Sequence, residues 1–352
     1  MIIETQLPLG KIDPGLRASP TPLDIATVGR QAALAEALGY DGIVTEETKE
    51  DPYIVMALAA QATSRIGLAT GVAIAFPRAP AVTAMSAWTL AKLSRGRFTL
   101  GLGSQVKGHI ERRFGLKWSP PGPWLRDYVR ALRAIWSCWQ NGTRLDYQGE
   151  HYKLSLMVPL FAPAPIDHPD IPIHLAAVNP YMCQVAGEVA EGIRAHPVCT
   201  PRYIAEAMWP AAQKGAAKAG RDLAGFAMGA MPLIATAPDR VSLADKVRDV
   251  RARIAFYAST PAYLIAFETE GYGDVARELQ HYSRAQRWEE MPAFIDDAML
   301  DRYAVIGTHE EIAEKLRSRF ARCATHLQFA IPAATANEQA VLKALLGELR
   351  RQ

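Results

Sequence analysis

The feature that most restricts the fold of this chain is an alternation repeated along its length: a short β-branched or apolar run, then a longer stretch with helical spacing. "MIIETQL" is the first run, and residues 23–38, rich in Ala and Leu, form the helix that follows, with Gly39 placed to end it. "GIVT" is the second, and Pro52 opens the next helix. "RIGLATGVAIA" and "GRFTLGLGS" are the third and fourth, "IPIHLAA" and "GIRAH" the fifth and sixth. "FAMGAMPLIATA" reads as one long seventh strand, and "THLQFAIP" as the eighth before a terminal helix at residues 337–349. Further helices are expected at about 79–93, 124–139 and 180–189. Eight strand-helix units predict an α/β fold, a closed (β/α)8 TIM barrel rather than an open sheet.

Two stretches exceed that plan. An insertion after the fourth strand, about residues 144–165, contains "RLDYQGEHYKL", whose Gln148 and Gly149 between alternating segments predict a hairpin. Before the eighth strand, residues 240–324 have mainly helical pattern and are too long for one barrel helix. This excursion is expected to cover the active-site mouth or to form a subunit contact. Its aromatic segment, residues 256–267, suits a homodimer contact as well as it suits a buried helix. No internal repeat or low-complexity linker divides the chain, so residues 1–352 are expected to form a single elaborated domain.

Composition narrows the function classes. With 49% hydrophobic and 21% charged residues, the chain has the material for a large core, and a net charge of +3 is too slight to predict a nucleic-acid partner. No window approaches the roughly 18–20 apolar residues of a membrane span. The opening "MIIETQLPLGKIDPG" lacks a basic region followed by a long apolar one, so a cytoplasmic protein is expected. Cys138, Cys183, Cys199 and Cys323 lie far apart and read as reduced, buried thiols. None of the eight histidines forms an HxxxH pair, so no metal is expected.

Barrel enzymes of this architecture work at the C-terminal ends of their strands, where the βα loops converge. In "ALGYDGIVTEETKEDP" an apolar strand runs directly into acids. A carboxylate there can meet water or ligand, whereas one buried unpaired within the strand would be strongly disfavoured. Glu46 and Glu47 thus either face the substrate or solvate a loop, while Glu50 and Asp51 are read as negative charge at the start of the helix after Pro52. Gly71 interrupts a β-branched run and marks a bulge or a close approach of backbone to ligand. "GLGSQVKGH" brings Ser104 and Gln105 to a strand end without matching GxGxxG. "HLAAVNP" puts Ala176, Ala177, Val178 and Asn179 just before a helix, which makes either a phosphate seat or a plain turn. His109 follows the fourth strand, as a rim group or an exposed helix residue; His174 is expected inside, and His196 within reach of the rim.

Taken in order, "ALGYDGIVTEE", "IGLATGVAIAFPRAPAVTAMSAWTLAKLSRGRFTLGLGSQ", "EHYKL" and "IPIHLAAVNPYMCQVAGEVAEGI" resemble the luciferase-like family of flavin and deazaflavin oxidoreductases, nearest to its coenzyme F420-dependent branch. The resemblance implies a barrel with an insertion after the fourth strand. It also implies a non-prolyl cis peptide at Gly71–Val72 behind the cofactor ring, a cofactor-phosphate loop at Ala176, Ala177, Val178 and Asn179, and ring-edge or tail contacts from Ser104 and Gln105. Gln6 would face the same mouth. One position departs from the pattern: relatives often carry an acid followed by histidine after the second strand, the histidine being the proposed proton carrier, and here Glu46 is followed by Glu47. A glutamate handles protons when burial or a like charge raises its pKa. The pair is therefore the expected proton-handling group, with His109 as the replacement.

Deazaflavin transfers hydride and does not readily activate oxygen, and its acidic tail calls for cations. Lys107, Arg112, Arg113, Lys117 and Arg202 are the candidates, against their ordinary fate on a solvated face. The expected function is F420-dependent hydride transfer to or from a small carbonyl, alcohol or activated alkene. The alternatives are an FMN-dependent monooxygenase served by a separate flavin reductase, and a non-catalytic flavin-binding barrel. A glycosidase fits poorly, since its two acids must flank the bond about 5–10 Å apart whereas neighbours on a strand point to opposite sides.

Overall fold

Eight parallel strands close on one another in the computed structural model: β1 (Ile2–Gln6), β2 (Gly42–Thr45), β3 (Gly67–Thr70), β4 (Phe98–Gly103), β5 (Ile173–Ala177), β6 (Gly192–Ala195), β7 (Ala227–Ala230) and β8 (His326–Gln328). Each pairs in parallel with the next, and β8 returns to β1 with Glu4 opposite Gln328. The fold is the (β/α)8 barrel, with helices on its outside. The structure describes residues 1–10 and 22–351; residues 11–21 and 352, including the last five residues of the opening stretch considered as a targeting signal, lie outside the described residues.

Alternation along each strand divides the side chains between two environments. Ile3, Ile43, Leu68, Leu100, Leu102, Ile173, Leu175, Ile193 and Leu327 are buried between the sheet and its helices. Each such side chain contributes roughly 1.5–3 kcal/mol on leaving water. The helices start and stop where local chemistry requires. Pro52, Pro80, Pro121 and Pro180 begin helices Pro52–Ala62, Pro80–Ser94, Pro121–Asn141 and Pro180–Val189, in the first turn where a missing N–H is harmless. Gly39 ends helix Val28–Leu38 at φ +101°, a conformation that residues with a Cβ seldom adopt. Asp51 caps helix Pro52–Ala62, its carboxylate accepting from the Tyr53 and Ile54 amides.

The other set of side chains points into the barrel, and part of it is polar. Arg194 on β6 pairs with Glu4 on β1, and the His174 ring on β5 meets the His326 ring on β8, centroids 5.9 Å apart. Neither strand pair is adjacent in the sheet, so both contacts cross the interior. Glycines make the room: a Cβ on Gly42 would come within 3.1 Å of Glu4 Cγ, and one on Gly192 within 2.7 Å of His174 Cδ2.

Two expected strands are corrected. The third run stops at Thr70 and resumes at Ala73–Ile74, beside β4, so the expected bulge at Gly71 separates two pieces. "FAMGAMPLIATA" is not one seventh strand. β7 ends at Ala230, Pro232 has no N–H for the ladder, and Leu233–Ala237 leaves the barrel to pair with Ala304–Thr308. The excursion expected to be mainly helical thus contains a strand, between helices Arg240–Ala258, Leu264–Thr269, Gly273–Arg284 and Asp297–Tyr303 on one side and His309–Phe320 on the other. The insertion forms the expected hairpin, Tyr147–Gln148 against Lys153–Leu154. Among the described residues no helix is long and apolar enough to cross a membrane.

Candidate active site

The C-terminal strand ends converge on a mouth whose floor is the segment between β3 and Ala73–Ile74. Gly71 donates to the Thr45 carbonyl at 2.7 Å, Ala75 to the Gly103 carbonyl at 3.0 Å, and the Gly71–Val72 peptide is cis, as the resemblance implies. Thr70 Oγ1 ties this segment to β4, donating to the Gly101 carbonyl at 2.6 Å and accepting from the Gly101 amide at 2.9 Å. The floor fits because β2 and β4 are shaped for it. A Cβ on Gly71 would meet Val44 Cγ1 at 2.1 Å; one on Gly101 would meet the Thr70 carbonyl oxygen at 1.8 Å; one on Gly103 would meet Val72 Cγ2 at 2.5 Å. Val72, Gly103 and Ala176 therefore meet in one place, bringing together the third, fourth and fifth strand ends. The signal that locates this cradle is Gly101-x-Gly103, two glycines on the same strand face.

Glu47 sits outside this floor, holding it. Its amide donates to the Val72 carbonyl at 3.3 Å, and its carboxylate accepts from the Ile74 amide at 2.8 Å and from Arg78 Nη1 at 2.7 and 2.9 Å. Arg78 Nη2 also reaches Asp51 Oδ2 at 3.0 Å. Burial pulls the Arg78 pKa down, but the bonds from Glu47 and Asp51 outweigh it and hold the guanidinium above its ordinary value. Glu46 is half-buried, directly after the end of β2.

Around the rim, Gln6 donates to Gln328 Oε1 at 3.4 Å and approaches Met231 Sδ at 3.8 Å, which joins the first, seventh and eighth strand ends. Asn179 caps helix Pro180–Val189 by accepting from the Met182 amide at 2.9 Å, and the Val178 carbonyl accepts from Tyr203 OH at 2.8 Å. Helix N–H groups at such a start favour an anion. Ser104 is half-buried, and Gln105 stands at φ +59° with its side chain accepting from the Val106 amide. His109 is exposed on the short helix Lys107–Arg112.

His196 follows β6 and lies against Tyr263, centroids 4.1 Å apart, and Tyr257 at 4.7 Å; burial pushes its pKa down to about 3. The excursion thus forms one wall of the mouth. The buried Glu270 carboxylate accepts from Thr200 Oγ1 and locks helix Leu264–Thr269 to the loop after β6. Phe267 stacks on Tyr303, so much of the aromatic segment 256–267 packs on its own chain. After Ala73–Ile74, Phe76 stacks flat on Trp124 at 3.7 Å, and Trp124 donates to Tyr152 OH of the insertion. The excursion lies at one of the two places the sequence offered for it, the mouth or a subunit contact, but the particular pairings, His196 with Tyr257 and Tyr263 and Phe76 with Trp124, join residues distant in the chain. Among the described residues no cluster of three His, Cys, Asp or Glu could hold a metal, and the four cysteines are buried and free.

A closed parallel barrel with its polar groups and loop walls gathered at the C-terminal mouth defines a barrel enzyme. The family model for luciferase-like monooxygenases matches residues 9–326, and the chain belongs to that family of oxidoreductases. A Mycobacterium tuberculosis protein described only as uncharacterized is 40% identical over 330 residues, covering 94% of this chain and 96% of that one. Two solved structures share the fold: the coenzyme F420-dependent tetrahydromethanopterin reductase of Methanopyrus kandleri, 19% identical with a TM-score of 0.71, covers 98% of this chain and 97% of its own. The EDTA monooxygenase of Chelativorans sp. BNC1, 14% identical with a TM-score of 0.73, covers 99% and 93%.

Proposed function

We propose that the chain is an F420-dependent oxidoreductase that moves a hydride between the deazaflavin and a small organic substrate, a carbonyl or alcohol or an activated alkene. The observation that carries the reading is the conjunction on one rim of a backbone floor cradled by glycines, a capped helix start beside it, and exposed cations on the next loop. Val72 and its flanking peptides would support a flat ring, while Gly101 and Gly103 leave space where any side chain would collide. The helix start at Asn179, with the small Ala176 and Ala177 before it, would hold a phosphate. Lys107, Arg112, Arg113 and Lys117 are exposed along the segment after β4, suited to an acidic tail; Arg202 is paired with Glu206 on its own helix.

When bound, the deazaflavin supplies a carbon centre that gives or accepts hydride. The chain's part is to orient and to manage protons. Glu46, half-buried after β2 at the mouth, is the group assigned to the substrate proton. The His196, Tyr257 and Tyr263 wall shields the mouth from water on the β6 side. FMN is the second reading, supported by the fold shared with the EDTA monooxygenase, and would require reduced flavin from a separate reductase.

A paired fluorescence titration of the protein with coenzyme F420 and with FMN, at low and high salt, tests the proposal. Tight, salt-sensitive F420 binding with weak FMN binding is expected. Preference for FMN with oxygen consumption moves the assignment to the monooxygenase, and binding of neither overturns both.

A further inference from the structure

We infer that Glu47 is a positioning residue that clamps the floor of the site together with Arg78, and that it is not the proton carrier. The inference rests on the proposed reading only for what the floor supports; the clamp itself is a matter of geometry. It bears on the residue that follows Glu46 at the end of β2, the position at which the resemblance led to an expectation of histidine.

Three features decide the role. First, the Glu47 carboxylate is engaged on both oxygens, by Arg78 Nη1 on each and by the Ile74 amide on Oε2. Both oxygens are thus committed to partners that hold the floor, which suits the carboxylate to positioning. Second, Glu47 grips both sides of the floor: its amide holds the Val72 carbonyl and its carboxylate holds the Ile74 amide two residues on. Third, Arg78 is itself fixed, by Asp51 Oδ2 at 3.0 Å, by the Ile74 carbonyl at 3.3 Å, and by the face of the Tyr53 ring. Asp51 uses its other oxygen to cap helix Pro52–Ala62. A continuous chain of contacts therefore runs from a helix start through Asp51, Arg78 and Glu47 to the peptide beneath the mouth. Under the proposed reading the substrate proton then falls to the neighbouring Glu46, and the holding to Glu47.

The test combines amide hydrogen exchange at Ile74 with F420 and FMN titrations of the wild type, E47Q, E47A, R78A and the E47A/R78A double variant, each first shown to unfold cooperatively. For E47A and R78A we expect at least tenfold faster exchange at Ile74, at least tenfold weaker binding of the preferred cofactor, and altered fluorescence of bound F420 at saturation. E47Q, which keeps an acceptor, should recover part of each change, and the double variant should be no worse than the poorer single, as for one shared interaction. Unchanged Ile74 exchange in E47A overturns the clamp. So does an E47Q protein that binds cofactor normally, with normal bound-state fluorescence and normal exchange, yet loses turnover. If the wild type binds neither cofactor, the hydride-transfer reading falls, and the Ile74 exchange rates still decide the clamp.

Discussion

Arg194 on β6 reaches through the barrel to Glu4 on β1 and donates to both of its carboxylate oxygens, Nη2 to Oε1 at 3.0 Å. Interiors of such barrels are ordinarily filled by branched apolar side chains. An ion pair in their place ties each charge to its partner, because either one alone would be buried without compensation.

Removing one member should therefore destabilise strongly. E4A or R194A is expected to lose about 3–5 kcal/mol in denaturant unfolding. Replacing both with apolar residues of similar volume, E4L with R194M, should recover most of that loss. Equal stability of single and double variants would show that the pair is not coupled.

The histidines below and beside the mouth predict acid sensitivity. His174 is held well below its ordinary range by burial and then by Arg194 and His326; burial likewise lowers His326, and brings His196 to about 3. Below about pH 6.5 the unfolded chain binds protons that the folded chain refuses, so stability falls as pH falls. The loss is at most about 1.4 kcal/mol per pH unit for each such group, continuing for His196 down to its folded value. Lowered carboxylates such as Glu36 and Glu188 add their own losses only at more acidic pH. Melts between about pH 7.5 and 5 should shift down for the wild type and shift less for H196N.

Two glycines two residues apart should respond differently to alanine. At Gly101 the new Cβ strikes the Thr70 carbonyl oxygen, which is backbone, whereas at Gly103 it strikes the Val72 side chain. G103A should lose about 1–3 kcal/mol of stability and weaken cofactor binding by displacing Val72. G101A should lose more, or fail to fold. Thermal unfolding with the cofactor titration compares them, and equal effects would count against the cradle.

Asp127 is a buried acid that fastens the insertion. It accepts from Tyr147 OH, from the His151 amide at 2.5 Å and from the Tyr152 amide at 3.1 Å. D127A leaves those donors unmet, at about 1–3 kcal/mol for each that water cannot reach. The hairpin should become a site of limited proteolysis near Gly149, with the barrel otherwise intact. Resistance equal to the wild type would assign the fastening to other contacts.

The barrel was legible because each strand and helix announces itself locally: the β-branched runs, the prolines at helix starts, Gly39 past a helix end. Glu46 and Glu47 stood out for the same reason, acids at the close of an apolar strand. The hold of Arg78 on Glu47 did not, since Arg78 lies 31 residues beyond it. Glu4 and Arg194 are separated by 190 residues, and nothing near either one names the other. The seventh run was misjudged because its apolar pattern continues across Pro232; the lost donor outweighed the hydrophobicity. His196 was placed near the rim from sequence, but its wall comes from Tyr257 and Tyr263 in an excursion whose side-chain directions no periodicity supplies.

The parallel pair of Leu233–Ala237 and Ala304–Thr308 has a consequence for how such a chain can diversify. It pairs the strand before the intervening helices with the strand after them over five positions, and because the two run parallel the segment leaves at Ala237 and returns at Ala304, at opposite ends of the ladder. Lengthening or shortening a segment closed in this way changes its loop entropy only slowly with length. Changes of length within residues 238–303, the segment that carries Tyr257 and Tyr263, would fall outside the eight-strand ladder.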